Sequence, residues 1–159
     1  MKHPFAACVF CLVVLVSCTT APHGGIHDPN KSDPVIIGYS APFLNVRIEG
    51  STMLCTRQKD VTYEKPWSDI PVSSRQRTST RSMPQEELSA LLGAADACGF
   101  FTLRDAYGAS PDERHYAYEI TITRKGTTKA VLFRSNPARE SAPKCFVELQ
   151  EKLEGMGCR

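Results

Sequence analysis

Seven cysteines lie in this 159-residue chain, and their placement constrains it more than any other feature. Cys8, Cys11 and Cys18 fall near the start, whereas Cys55, Cys98, Cys145 and Cys158 stand singly through the remainder. The first group sits in a segment with the layout of an export signal. Met1 to Pro4 carries one positive charge, and Phe5 to Val16 is an unbroken apolar run. That run is too short for a bilayer span, which needs roughly 20 residues at about 1.5 Å rise each. A basic start, a short apolar stretch and a small residue at its end are the marks of a secretory segment. An even number of cysteines left in an exported domain implies disulfides.

The ending Leu15-Val16-Ser17-Cys18 resembles the lipobox of bacterial lipoproteins, in which the signal is cut just before a cysteine that then carries a diacylglyceryl group. The resemblance implies a signal peptide over 1–17, lipidation of Cys18, and two or three acyl chains, which anchor stably where a single chain does not. Thr19, in place of Asp, resembles the outer-membrane sorting signal of enteric-type bacteria. The expected location is the cell envelope, lipid-anchored to a bacterial membrane, with the outer membrane favoured over the inner if the cell is Gram-negative. The competing reading is an ordinary secreted protein cut near Ala21, with Cys18 discarded.

Residues 18–33 hold Pro22, Gly24, Gly25 and Pro29 with almost no apolar side chains. Such a stretch cannot bury enough surface to offset backbone ordering, so it reads as a flexible tether. His23, His27 and Asp28 have a loosely metal-like spacing, but a metal would have to order the segment itself, and a solvated linker is the simpler reading. No cofactor and no metal site is expected.

With Cys8 and Cys11 lost alongside the signal and Cys18 lipidated, four cysteines remain for two bridges. Three connectivities are open, and the required Cα separation of about 4.4–6.8 Å cannot be read from sequence. The preferred pairing is Cys98 with Cys145, joining the end of one helix to the start of an antiparallel one, and Cys55 with Cys158, pinning the C-terminal tail to a strand. Zinc is disfavoured, because no Cys-x-x-Cys follows the signal. A nucleophilic thiol is disfavoured because the folded part holds a single histidine, His115.

Residues 34–159 read as one domain. A short strand is expected over Pro34 to Tyr39, and Leu44, Val46 and Ile48 alternate with Asn45, Arg47 and Glu49 in the period of a half-buried strand. Gly50-Ser51 turns it into a partner over Thr52 to Gln58, which Val61 to Glu64 continues. Pro66 to Pro71, with Trp67, interrupts regular structure. Val72 to Ser82 is strand-forming but polar. Ser82-Met83-Pro84-Gln85 has the pattern of a capping box opening a helix, with Leu88, Leu91, Leu92 and Ala95 as its apolar stripe and Gly99 at its end. Phe100-Phe101-x-Leu103 follows as core, and Arg104 to Arg114 as a surface loop. Tyr116, Tyr118, Ile120 and Ile122 share one face of the clearest strand, and Lys125-Gly126 returns it over Thr127 to Arg134. Ser141 and Pro143 open a last helix striped by Cys145, Phe146, Leu149, Leu153 and Met156. The expected fold is α+β: an antiparallel sheet of four or five strands with two helices packed on one face, stapled by disulfides.

Net charge is only +2, from 19 Lys+Arg against 17 Asp+Glu, so the chain lacks the electrostatic footprint of a nucleic-acid binder. Its one basic stripe is Arg75, Arg77 and Arg81, on one face of the polar strand. An edge strand blunted by positive charge accounts for it; the sharper reading is an anion-binding face. Catalysis has thin support. Ser110, Asp112, Glu113 and His115 are neighbours in a loop, with no nucleophile elbow, phosphate loop or metal motif.

The Leu91-Leu92 helix, Phe100-Phe101-x-Leu103, the polar loop, Tyr116-x-Tyr118-x-Ile120-x-Ile122, the Gly126 turn, the apolar return strand and the last Leu-x-x-x-Leu helix resemble the emfourin-type inhibitors of thermolysin-like metalloproteases. Val46-Arg47-Ile48-x-Gly50 echoes that family's N-terminal strand and turn, although its paired glycines are absent. The likeness covers about two thirds of the chain beyond the signal, on positions that are mostly core. It implies an α+β fold and, for function, a non-catalytic binding module using loops such as 104–115 or 66–71, with an envelope protease as candidate partner. No inhibitory residue aligns to a specific motif, so none is carried over. A structural or assembly lipoprotein of an envelope complex is the alternative. Mass analysis of the membrane-fraction protein is expected to find lipid on Cys18, and a soluble, unmodified N-terminus overturns the anchor.

Overall fold

The computed structural model describes residues 34–63, 71–156 and 158. The signal, Cys18, the tether and Trp67 with its proline-flanked surroundings lie outside the described residues. The elements in chain order are β1 (Ile36–Ala41), β2 (Leu44–Glu49), β3 (Thr52–Tyr63), β4 (Pro71–Ser82), α1 (Gln85–Ala97), a 3-10 turn (Phe100–Thr102), β5 (Ala106–Gly108), β6 (Tyr116–Arg124), β7 (Thr127–Ser135) and α2 (Lys144–Met156). One sheet holds all the strands in the order β4-β3-β2-β1-β6-β7-β5. The class is α+β, but the sheet has seven strands rather than four or five, and it is mixed, because β5 pairs parallel with β7. Three residues are too few to show a period, so β5 reads as loop in the sequence. Gly108 makes its approach possible: a Cβ there would lie 2.1 Å from the Arg134 carbonyl oxygen, and its φ is +86°.

The expected turns form where their residues allow. Glu49 faces Thr52 across Gly50-Ser51, with Gly50 at φ 56°. Lys125 and Gly126 both have positive φ, at 49° and 72°, as the tight hairpin between Arg124 and Thr127 requires.

Alternation sorts the sheet into one apolar face. Ile122, Ile37, Ile48 and Met53 lie side by side across four strands, and Val131, Ile120, Tyr39, Val46 and Cys55 form the next row. All of them are buried, in a single cluster with Leu88, Leu91 and Ala95 of α1 and Phe146, Leu149 and Leu153 of α2. The two helices therefore close over the same face.

The start of α1 departs from its sequence pattern. Ser82 remains in β4, Met83 donates its backbone N–H to the Ser51 carbonyl, and Pro84 takes the capping position without a side-chain hydrogen bond. Met83 is fully buried, so its burial fixes the exit from the sheet and the capping box does not form. Pro143 likewise precedes α2, its carbonyl accepting from Val147. The end of α1 follows expectation, with Gly99 left-handed at φ 78°.

The cysteines pair as preferred. Cys98 at the end of α1 joins Cys145 in the first turn of α2, with Cα atoms 5.1 Å apart, and Cys158 beyond α2 joins Cys55 of β3 at 5.3 Å. Each bridge is worth about 2–4 kcal/mol, largely by restricting the unfolded chain. Between them, Tyr39 sits buried on the central strand and donates its hydroxyl to Glu154 of α2. Burial, then the adjacent carboxylate, pushes its phenol above the usual range.

Phe100 is fully buried whereas Phe101 is half-buried, its ring covered by the Arg124 guanidinium at 4.1 Å. Phe100→Ala is expected to cost about 3–5 kcal/mol in denaturant unfolding, and Phe101→Ala clearly less; equal losses would contradict this assignment of the core.

Candidate functional site

The helix-bearing face does not end where the helices end. Beyond the row Tyr39, Val46 and Cys55, toward the turn between β1 and β2, the next row is Ala41, Leu44, Arg57 and Arg77. One step further Lys59 faces Arg75. Residues directly opposite in a ladder project to the same side, with Cβ atoms about 4.5–5.5 Å apart. Arg57 with Arg77, and Lys59 with Arg75, are thus two like-charged pairs stacked along the overhanging β3–β4 hairpin. Arg57 is half-buried and the other three are exposed. No carboxylate among the described residues pairs with any of the four, although seven ion pairs form elsewhere.

A groove of about 530 Å³ adjoins them, walled by aromatic and aliphatic side chains (Phe43, Leu44, Tyr116, Tyr118) together with Arg57 and Glu154. Phe43 occupies the two-residue Pro42-Phe43 turn, held to β3 by the Gln58 N–H donating to its carbonyl at 2.9 Å. Its side chain is 43% exposed, and Tyr116 is 54% exposed. On the groove's inner wall Tyr118 stacks on Phe133, centroids 6.3 Å apart, and Phe133 meets Phe146 of α2. Glu154 is turned inward, accepting from Tyr39 and from Gln150, and does not pair with Arg57.

Arg75, Arg77 and Arg81 share one face of β4, as the stripe expects, but only Arg75 and Arg77 lie opposite other cations. Arg81 faces buried Met53, and its guanidinium binds Glu87 of α1 at 2.8 Å and the Ser82 carbonyl at 3.0 Å. Arg57 and Lys59 take its place. They had no visible signal in sequence, because their meeting with Arg77 and Arg75 depends on a register set across the β3–β4 connection. β4 is an edge strand, as its charge implied.

The loop neighbours do not form a relay. The Glu113 carboxylate accepts from the Ser110 backbone N–H at 2.8 Å and from Arg139, and His115 Nδ1 meets the Glu113 backbone carbonyl rather than its side chain. Arg139 and the Ser110 N–H hold the Glu113 carboxyl below the usual range. Arg124, bound through both terminal nitrogens at 2.8 and 2.7 Å, does the same for Asp96. Arg104 lies over the Tyr107 ring at 4.3 Å and binds Glu140 at 2.5 Å, tying the 104–115 segment to the loop before α2. Among the described residues no group of three or more His, Cys, Asp or Glu could hold a metal, and no helix is long and apolar enough to cross a membrane. Comparison with protein-family models, curated proteins and solved structures finds no match to this chain.

Like charges directly opposite on a ladder are destabilising. Arg77→Glu, which sets a carboxylate against Arg57, is expected to raise stability by about 0.2–1 kcal/mol, most clearly at low salt. Arg81→Glu, which faces Glu87 with a second carboxylate, is expected to lower it. Urea midpoints at two salt concentrations test both; an Arg77→Glu midpoint that does not rise at low salt removes the repulsion.

Proposed function

We propose that this chain is a lipid-anchored cell-envelope lipoprotein that acts as a non-catalytic binding module, with the aromatic and cationic end of its sheet as the working surface. The observation that carries the reading is the pair of uncompensated cation pairs beside exposed Phe43 and Tyr116. The fold tolerates repulsion there and leaves two large aromatic side chains in water, an arrangement that a bound partner would relieve on both counts. The resemblance of Leu15-Val16-Ser17-Cys18 to a lipobox supports an envelope location for that surface, and the likeness to emfourin-type inhibitors makes an exported thermolysin-like metalloprotease the first partner to test.

A photo-crosslinking residue placed at Phe43 in intact cells is expected to yield one envelope-protein adduct. The same residue at Leu54, which is 40% exposed on the opposite face of β3, is expected to yield none. Scattered adducts, or equal adducts from both positions, would sink the reading. An adduct with an exported metalloprotease, together with inhibition of its activity by the purified protein, would establish the inhibitor role.

A further inference from the structure

We infer that the open end of the sheet receives an extended acidic segment of a partner polypeptide, with carboxylates on the Arg57–Arg77 and Lys59–Arg75 pairs and an apolar side chain in the groove between Phe43 and Tyr116. This assignment rests on the binding-module reading and gives that module its ligand chemistry. The spacing supports it first. The two cation pairs are separated by two residues along β3 and along β4. Alternate side chains of an extended chain repeat at about 6.4–6.8 Å. A partner segment lying along the hairpin with acidic residues at i and i+2 sets one carboxylate over each pair. Arginine's fork suits a carboxylate, and charge-assisted bonds of this kind are the strong ones.

The mixed chemistry supports it second. The cations border a groove whose walls include Phe43, Leu44, Tyr116 and Tyr118, so the occupant carries apolar groups as well as negative charge. A polypeptide supplies both at fixed spacing.

The test uses the full-length lipidated protein in detergent micelles and a short fluorescent peptide with Glu at alternate positions and one Phe. The peptide is expected to bind, and its Gln-for-Glu counterpart to bind at least about tenfold more weakly. The double variant Arg57→Glu/Arg77→Glu is expected to lose the Glu peptide and to gain the corresponding Lys peptide. That reversal shows the variant is folded, and Lys144→Glu, on an exposed residue of α2, leaves binding unchanged. Equal affinity for Glu and Gln peptides, or unaltered binding by the double variant, overturns the assignment. Displacement of the peptide by micelles containing phosphatidylglycerol also overturns it, in favour of a lipid surface, and preferential binding of a sulfated oligosaccharide overturns it in favour of a glycan. If adducts from Phe43 persist in the double variant, the binding-module reading stands and the acidic-segment assignment falls. Peptide binding without any cellular adduct separates them the other way.

Discussion

Two helices of thirteen residues each must cover one face of a seven-stranded sheet, and they are not long enough to do so. A helix of that length runs about 20 Å and is about 10 Å wide. Seven strands at about 4.8 Å spread over nearly 30 Å, and β3 and β4 extend well past their neighbours. Water-exposed apolar rows would follow if the pattern continued to the strand ends. Instead the rows under the helices are Ile, Val, Met and Tyr, and the overhang carries Arg and Lys. The boundary between core and candidate site is therefore the edge of the helical cover, and Arg57, half under it, marks the line.

The disulfides act on the same shortage. They tie α1 to α2 and the tail of α2 to β3, so the cover is held at both ends, and the closed circuit runs through a core of modest size. Tyr39 lies under this circuit, its hydroxyl satisfied by Glu154 on the one element that both bridges constrain. Holding Glu154 there has an effect at the surface as well. The carboxylate that lines the groove is engaged internally, and no carboxylate among the described residues pairs with the cations outside.

Where periodicity was long, the sequence was a good guide: β2, β6, the stripes of both helices and the glycine turns lie where alternation and spacing put them, and the helix-to-helix pairing of Cys98 with Cys145 followed from those elements. Local patterns failed where tertiary burial outweighed them. Met83 was drawn into the core, and the Ser82-x-x-Gln85 pattern lost its cap; three residues beside Gly108 became a parallel strand that no period could announce. The site was less legible than the fold. Half of its cations lie on β3, and recognising them as partners of Arg75 and Arg77 needs the strand register. Phe43 and Tyr116 look like core residues in one dimension, and only the position of the helical cover shows that they are not.

The unequal edges of the sheet bear on how copies of this chain behave near one another. At one end, β5 offers three residues, too short a ladder to recruit another strand. At the other, β4 is an edge strand of twelve residues. Self-pairing of two such edges would bring Arg75 and Arg77 of one copy against those of the next, adding a third and fourth row to charges already crowded by Lys59 and Arg57. If the proposed lipid anchor confines the protein to a plane, it concentrates it and favours edge-to-edge growth. The same residues that the proposed acidic segment would engage thus keep identical neighbours apart, so one patch would set both the attraction and the spacing.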